Sequence, residues 1–231
     1  MLVTFAVTVV IVGCLFSYRV YAILPSRGRN RNLTKRSPDS TCSLAVFLGS
    51  GGHTSEALAM LSGINAQRYK PRQYFVSEGD SLSVKKVQVL ERSFEDGSPN
   101  SPAYRVVTIP RARRVHQPLW TTPLTAMVSL CSCIYYMTIE PLANHNSGEK
   151  KFPDVLVLNG PGTCLMLCIA AYFNKFFGLP APTIIYVESF ARVKALSLSG
   201  KLIRPLVDRF IVQWPELVRR HPGSECYGTV V

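Results

Sequence analysis

Charge is scarce in this sequence, and negative charge is the scarcest. Only 17% of the 231 residues are charged, 14 Asp plus Glu stand against 26 Lys plus Arg, and 47% are apolar. So apolar a composition excludes a disordered chain. A net charge of +12 carried by so few ionisable groups is unusual for a soluble protein and implies an anionic or lipidic neighbour. A paired disulfide framework is also missing. The seven cysteines, at 14, 42, 131, 133, 164, 168 and 226, leave one over however they pair and form no Cys-x-x-Cys clamp, so they read as reduced thiols filling a core, with no metal site among them. No Gly-Lys-Ser/Thr of a P-loop appears, nor any internal repeat or low-complexity tract. Nucleic acid is a poor candidate partner, because the basic residues come without a recognition motif or an aromatic platform.

Residues 2–24 contain a single charge, Arg19. As a helix they would extend roughly 35 Å, enough to cross a bilayer with some tilt, and Arg19 could snorkel at one end. Arg27, Arg29, Arg31, Lys35 and Arg36 follow with no acid before Asp39. The positive-inside rule therefore predicts residues 1–24 as a transmembrane anchor with a luminal N-terminus and a cytosolic body. A cleaved signal peptide is the rival, with Val20-Tyr21-Ala22 as its site, but such a peptide carries its positive charge before the apolar run. Residues 25–41 read as a solvated basic linker that also attracts anionic headgroups. Asn32-Leu33-Thr34 has the form of a glycosylation acceptor but falls on the cytosolic side.

From residue 42 onward, short apolar runs alternate with helical patterns. Strands are predicted at 44–48, 73–76, 105–109, 154–158, 183–187 and 210–212, and helices at 54–64, 82–92, 125–142, 163–177 and 199–207. Strands apolar on both faces and joined by helices predict an α/β fold, a single Rossmann-like doubly wound parallel sheet, over 42–231. The segment 125–142 is apolar nearly all round. It is expected to be a buried helix; a helix lying against the bilayer, helped by Arg111, Arg113, Arg114 and Trp120, is the alternative.

Ligands of such sheets bind beyond the carboxyl ends of the strands. Three segments there carry candidate chemistry. Gly49-Ser50-Gly51-Gly52-His53-Thr54 joins a strand to a helix, where glycines admit a ligand to the backbone and a helix N-terminus offers free N–H donors to phosphate. A tight turn with Thr54 as helix cap is the plainer account. The Gly-x-Gly start and the later Glu78 or Asp80 match a dinucleotide fingerprint weakly, since Thr54 stands in place of its third glycine. Asn159-Gly160-Pro161-Gly162-Thr163 repeats the strand, glycine turn and helix start, with Thr163 as the capping alternative. Glu188, followed by Arg192, leaves a buried strand, where an acid must be paired or used. The options are an ion pair with Arg192, or a carboxylate that holds a sugar hydroxyl or acts as a base. Arg111, Arg113 and Arg114 could neutralise a diphosphate.

Taken together, the apolar anchor, Leu48 to Thr54, Asn159 to Thr163, Tyr186-Val187-Glu188-Ser189-Phe190-Ala191-Arg192, Ser197-Leu198-Ser199-Gly200-Lys201 and Phe210-Ile211-Val212-Gln213-Trp214 resemble the membrane-anchoring subunits of two-subunit N-acetylglucosaminyltransferases, which add the second GlcNAc to the dolichol-linked precursor of N-glycans. The resemblance implies the acceptor half of a GT-B fold, similar to the N-terminal domain of the bacterial enzyme that glycosylates the lipid-linked peptidoglycan precursor. It implies an inverting UDP-GlcNAc-dependent activity in the endoplasmic reticulum membrane, absent from the chain alone, with a cytosolic partner subunit binding most of the UDP-GlcNAc and no cofactor. It further implies that His53 and Glu188 are catalytic, that Gly49, Ser50, Gly51, Gly52, Thr54, Asn159, Gly160, Gly162 and Arg192 bind the diphosphate or sugar of the GlcNAc-diphosphodolichol acceptor, and that Trp214, Tyr227 and Val230 meet the partner. The length agrees independently: a GT-B enzyme needs two Rossmann-like domains of roughly 150 residues or more, and the residues beyond the linker read as one. A membrane-tethered Rossmann-type nucleotide-binding or reducing protein remains the alternative.

Overall fold

The computed structural model describes residues 1–25, 37, 40–94, 104–114, 117–143, 152–160 and 162–229. The basic run Arg27, Arg29, Arg31, Lys35 and Arg36, the acceptor-like Asn32, and Pro161 and Val230 lie outside the described residues. The described strands are β1 (Leu44–Leu48), β2 (Arg72–Ser77), β3 (Tyr104–Ile109), β4 (Val155–Asn159), β5 (Thr183–Val187), β6 (Arg209–Val212) and β7 (Glu225–Cys226). They form one parallel sheet in the order β3-β2-β1-β4-β5-β6-β7. The chain winds outward from β1 in one direction and from β4 in the other, which is the doubly wound Rossmann-like arrangement expected of alternating strands and helices.

Alternation within the strands divides the core into two layers. Leu44, Val46 and Leu48 of β1 point to one face with Tyr74 and Val76. There they pack against α2 (Gly52–Ser62) through Ala57 and Leu61, and against α3 (Ser81–Ser93) through Val87. Ala45 and Phe47 point to the other face, where the larger cluster takes in α4 (Thr122–Ile134), which runs through one π-helical turn, Tyr135–Ile139, into α5 (Glu140–Ala143), and also α6 (Thr163–Phe177). Two short helices, α7 (Leu198–Ile203) and α8 (Pro215–Arg220), complete that layer. Cys164 and Cys168 fill α6 as buried apolar groups. Burial raises both thiols, that of Cys168 to about 12, so neither is a thiolate at neutral pH.

The expectation of a buried helix over 125–142 requires correction. Its inner side, Ser129, Cys133, Met137 and Thr138, is buried, whereas Leu124, Val128, Cys131, Tyr135 and Ile139 are exposed. A helix laid on one face of a sheet buries only a stripe, and no second layer covers this one among the described residues.

Helix α1 (Leu2–Ile23) contains an apolar stretch, Thr4–Ile23, long enough to cross a membrane, with a mean hydropathy of 1.9 and none of it buried in the body. Arg19 does more than reach toward water. Its Nε and Nη2 donate to the carbonyls of Phe176 and Lys175, both at 2.9 Å, at the C-terminus of α6. These carbonyls lie in the last turn of α6, before the left-handed Gly178, where a cation also meets the negative end of the helix dipole. Phe16 packs on Phe176 with ring centres 5.3 Å apart.

A buried ion pair fixes β2 to α3. Nε and Nη2 of Arg72 donate to the two oxygens of Glu91, at 2.7 and 2.6 Å, Tyr74 donates to the same carboxylate at 2.5 Å, and the carbonyls of Ala66 and Tyr69 accept from Nη1 of Arg72 at 2.8 Å. Removing one member strands the other's charge in the interior. Glu91→Ala is expected to cost about 3 to 5 kcal/mol and to lower the melting temperature by roughly 10 °C or more, measured by thermal denaturation of the full chain.

Candidate functional site

Both glycine turns arise at the point where the strand order reverses. β1 and β4 are neighbours, with Leu48 in register with Asn159, so the turns that follow them emerge side by side. After β1 the backbone enters left-handed space at Ser50 (φ 61°) and Gly51 (φ 58°), and α2 starts at Gly52. After β4, Gly160 turns with φ 133°. A β-carbon there would lie 2.9 Å from the Cα of Gly49 and 3.7 Å from Cγ of His53, so glycine is required by the contact as well as by the conformation. Gly52 differs: a β-carbon would meet nothing within 4 Å.

This contact brings His53 and Asn159 together. His53 Nδ1 lies 2.9 Å from Asn159 Oδ1, and Asn159 Nδ2 donates to Glu56 Oε2 at 3.2 Å. A carboxylate only accepts, so the amide nitrogen of Asn159 must face Glu56 and its oxygen must face His53. Neutral His53 therefore carries its proton on Nδ1 and leaves Nε2 as an acceptor with no partner among the described residues. Ser189, after β5, donates to the other oxygen of Glu56 at 2.9 Å. Glu56 was invisible in the sequence as a site residue. Its only signal is its place three residues after His53, on the same face of α2.

In the third segment, one of the options that the sequence left open, the ion pair, does not form. Glu188 is 1% exposed and makes no ion pair with Arg192, which is exposed. One carboxylate oxygen accepts from the backbone N–H of Ser189 at 3.1 Å, the other from the backbone N–H and hydroxyl of Ser197 at 3.0 and 3.1 Å. Ser197 in turn caps α7 at the N–H of Gly200, 2.9 Å away. Gly200 is there because a β-carbon would stand 2.2 Å from Glu188 Oε2. Tyr186 ties this region to the second turn through weak contacts with Gly160 O (3.5 Å) and Ser197 Oγ (3.4 Å).

Thr54 is not the cap of α2, whose N-cap is Gly51; it is buried within the helix and bonds Ser83 Oγ of α3 at 2.6 Å. On the β2 side, a recess of about 420 Å³ is lined by Glu78, Gly79, Arg111 and Arg114. Arg111 donates to the Glu78 carbonyl at 3.1 Å and approaches Ser50 Oγ at 3.5 Å, whereas Arg113 turns to the carbonyl of Gln117. Burial works against the charge of Asp80. Bonds from the side chain and N–H of Ser83 and from Ser50, with Arg111 nearby, nevertheless hold its carboxyl below the ordinary value. Gly162 is exposed at the start of α6.

Trp214 packs on Phe190 with ring centres 5.1 Å apart, and its indole donates to the Phe190 carbonyl at 2.8 Å, which holds the 188–192 turn in place. Tyr227 lies apart from it, beyond the β7 edge, bonding Glu225 at 2.6 Å and touching Arg209.

Because the Glu188 carboxylate is surrounded by donors, the amide of a glutamine would have to turn its NH2 against one of them. Glu188→Gln is therefore expected to destabilise the fold, by about 1 to 3 kcal/mol. Chemical denaturation of the two chains measures the difference. An unchanged midpoint would remove Glu188 from the support of α7.

Residues 44–230 match a family model described as oligosaccharide biosynthesis protein Alg14 like. Curated relatives carry the name UDP-N-acetylglucosamine transferase subunit. One from Cryptococcus neoformans is 46% identical over 208 residues, covering 87% of this chain and 88% of its own. A second, from Schizosaccharomyces pombe, is 41% identical over 203 residues, covering 88% and 90%. A human relative is 36% identical over 196 residues, covering 84% and 85%. By the breadth of these matches, which take in both glycine turns and the Glu188 segment, the chain belongs to the Alg14 family.

Proposed function

We propose that this chain is the membrane-anchored, acceptor-binding subunit of a two-chain inverting N-acetylglucosaminyltransferase that adds the second GlcNAc to GlcNAc-diphosphodolichol on the cytosolic face of the endoplasmic reticulum. The relatives' name supplies the donor, UDP-GlcNAc, and the existence of at least one further subunit. One observation carries the acceptor assignment: two glycine turns meet at the strand-order switch point and hold there a histidine whose Nε2 has no partner among the described residues. The N–H groups at the start of α2 and the recess of Arg111 and Arg114 suit an anionic diphosphate on the same rim of the sheet. Gly49, Ser50, Gly51, Gly52, Asn159, Gly160 and Gly162 form the backbone cradle in this reading, and exposed Arg192 reaches the acceptor from the β5 side.

His53 Nε2 takes the proton of the acceptor hydroxyl as its oxygen bonds the anomeric carbon of the donor; the bond from that carbon to the diphosphate of UDP breaks on the opposite side, inverting the configuration. Asn159 and Glu56 keep His53 in the tautomer that can accept. Glu188 is a positioning residue, setting the 188–192 turn and α7. Trp214 and Tyr227, near the β6 and β7 side of the sheet, are the contacts offered to the cytosolic partner together with Val230, which lies outside the described residues; that partner brings most of the donor site. The chain alone has no transferase activity in this reading, and adding the partner restores it.

In the assembled complex, His53→Ala is expected to lower kcat by 10² to 10⁴, roughly 3 to 5 kcal/mol, with the donor KM little changed. Glu56→Ala should lower kcat by roughly three- to tenfold, about one hydrogen bond, and Glu56→Gln should recover most of it, because the glutamine oxygen still accepts from Asn159. Steady-state kinetics with acceptor and donor varied separately measures both. Gly52→Ala adds a control, since its β-carbon meets only open space in the fold: loss of acceptor use with unchanged melting locates the ligand at that turn. A His53→Ala complex with wild-type kcat, or one altered in donor KM alone, would overturn the assignment.

A further inference from the structure

We infer that the recess beyond β2 and β3 is a specificity site that distinguishes a lipid diphosphate from a lipid monophosphate. Arg111 and Arg114 take the phosphate next to the lipid, while the glycine turn of β1 takes the one next to the sugar, and Gln117 is the positioning residue that holds the arginine loop. This rests on the reading of the switch-point rim as the acceptor site.

The recess, about 420 Å³ between Glu78, Gly79, Arg111 and Arg114, follows the carboxyl ends of β2 and β3 and so lies on the same rim as the glycine turns. One water occupies roughly 30 Å³, so a phosphate group fits with room for solvent. Neighbouring strands stand about 4.8 Å apart. A step from the turn of β1 to that of β2 is therefore of the size of one phosphate group.

The two arginines take part in none of the ion pairs among the described residues. Arg111 is oriented by neutral acceptors, the Glu78 carbonyl at 3.1 Å and Ser50 Oγ at 3.5 Å. Ser50 bonds Asp80, whose carboxylate also takes the N–H and hydroxyl of Ser83, at 3.1 and 2.6 Å. The nearby acid is thus occupied. Glu78 is exposed, where water screens its charge. Among the described residues Ser50 is the one non-glycine with positive φ. Glycine would take that conformation without strain, but it lacks the hydroxyl that joins Asp80 to Arg111.

Gln117 commits all four of its polar groups to the loop. Its side-chain oxygen accepts from the Arg114 N–H at 2.9 Å, and its own N–H donates to the Arg114 carbonyl at 3.2 Å. Its carbonyl accepts from Nε and Nη2 of Arg113 at 3.3 and 3.0 Å. Its side-chain nitrogen donates to the hydroxyls of Thr121 and Thr125, at 3.0 and 3.1 Å, where α4 begins. Ala112, buried between the arginines, donates its N–H to Thr163 Oγ at 3.2 Å, just after the second glycine turn. The arginine loop is therefore tied to the first turn through Ser50 and to the second through Thr163. Guanidinium groups fixed in this way, without acids as partners, suit a phosphate that accepts charge-assisted bonds. A monophosphate held at the β1 turn has no second anion to offer them.

Calorimetric titration of the full-length chain in neutral detergent tests the inference. The ligands are a short-chain isoprenoid GlcNAc-diphosphate, its GlcNAc-monophosphate counterpart and UDP-GlcNAc; the chains are wild type, Arg111→Gln, Arg114→Gln and Gln117→Ala, each with its melting temperature recorded. Wild type should bind the diphosphate roughly tenfold or more tighter than the monophosphate. Arg111→Gln and Arg114→Gln should each weaken diphosphate binding about ten- to hundredfold and leave monophosphate binding within about twofold. Gln117→Ala should narrow the same ratio by about three- to tenfold with both arginines present, a change that loss of stability alone does not produce. Arg114 is exposed, so its replacement carries the test if Arg111→Gln melts early. Equal weakening of both isoprenoid ligands would reduce the arginines to a general attraction and overturn the specificity site, as would diphosphate binding unchanged in both arginine variants. Weakening of UDP-GlcNAc alone would assign the recess to the donor and equally overturn it. Wild-type discrimination in Gln117→Ala would overturn the positioning role of Gln117. A wild-type chain that binds neither isoprenoid ligand would overturn the acceptor reading itself, and this inference with it.

Discussion

The approach of the two glycine turns at the switch point is the contact on which the rest of the site depends. A β-carbon on Gly160 would stand 2.9 Å from the Cα of Gly49, so the second turn cannot take a side chain there without parting from the first. Separation would pull Asn159, at the end of β4, away from His53, at the start of α2, and the tautomer of the histidine would no longer be fixed. The parallel sheet makes this approach possible, because adjacent strands release their turns at the same rim. No other pair of adjacent strands in the described sheet winds apart in opposite directions.

Two separate supports hold that rim. On the β2 side the buried Arg72, Glu91 and Tyr74 cluster locks β2 to α3, and Asp80 and Thr54 join α3 to the turn and to α2 through Ser83. On the β5 side Glu188 gathers Ser189 and Ser197, and so sets α7 and the 188–192 turn. Acids are few in this chain, and those in the body are largely spent on such internal tasks. The positive excess is left largely to the surface.

The third part of the architecture is the junction of α1 and the body. Arg19 bonds the last carbonyls of α6 while Phe16 packs on Phe176, which ties α1 to the same layer that carries the exposed apolar stripe of α4. The one charge of α1 is thus placed where two carbonyls at the end of α6 and its helix dipole can use it.

Much of this was legible in the sequence because it is local. The apolar run of α1, the strand and helix alternation, the doubly wound class and the positions of both glycine turns all follow from periodicity and from the special backbone freedom of glycine. Burial was less legible. The stretch 125–142 is apolar all round, and composition cannot say that only the side bearing Cys133 and Met137 meets the core. Thr54 looked like a cap because threonine after glycine commonly is one, yet the helix starts two residues earlier and turns it inward. Glu56, Ser197 and Gly200 acquired their roles from partners far away in the chain: Glu56 from residues 159 and 189, Ser197 and Gly200 from residue 188. Local pattern fixes which elements form and where the chain must turn. Only the packed sheet decides which turns touch, since that depends on strand order, and strand order is set by long-range burial that no window of sequence contains.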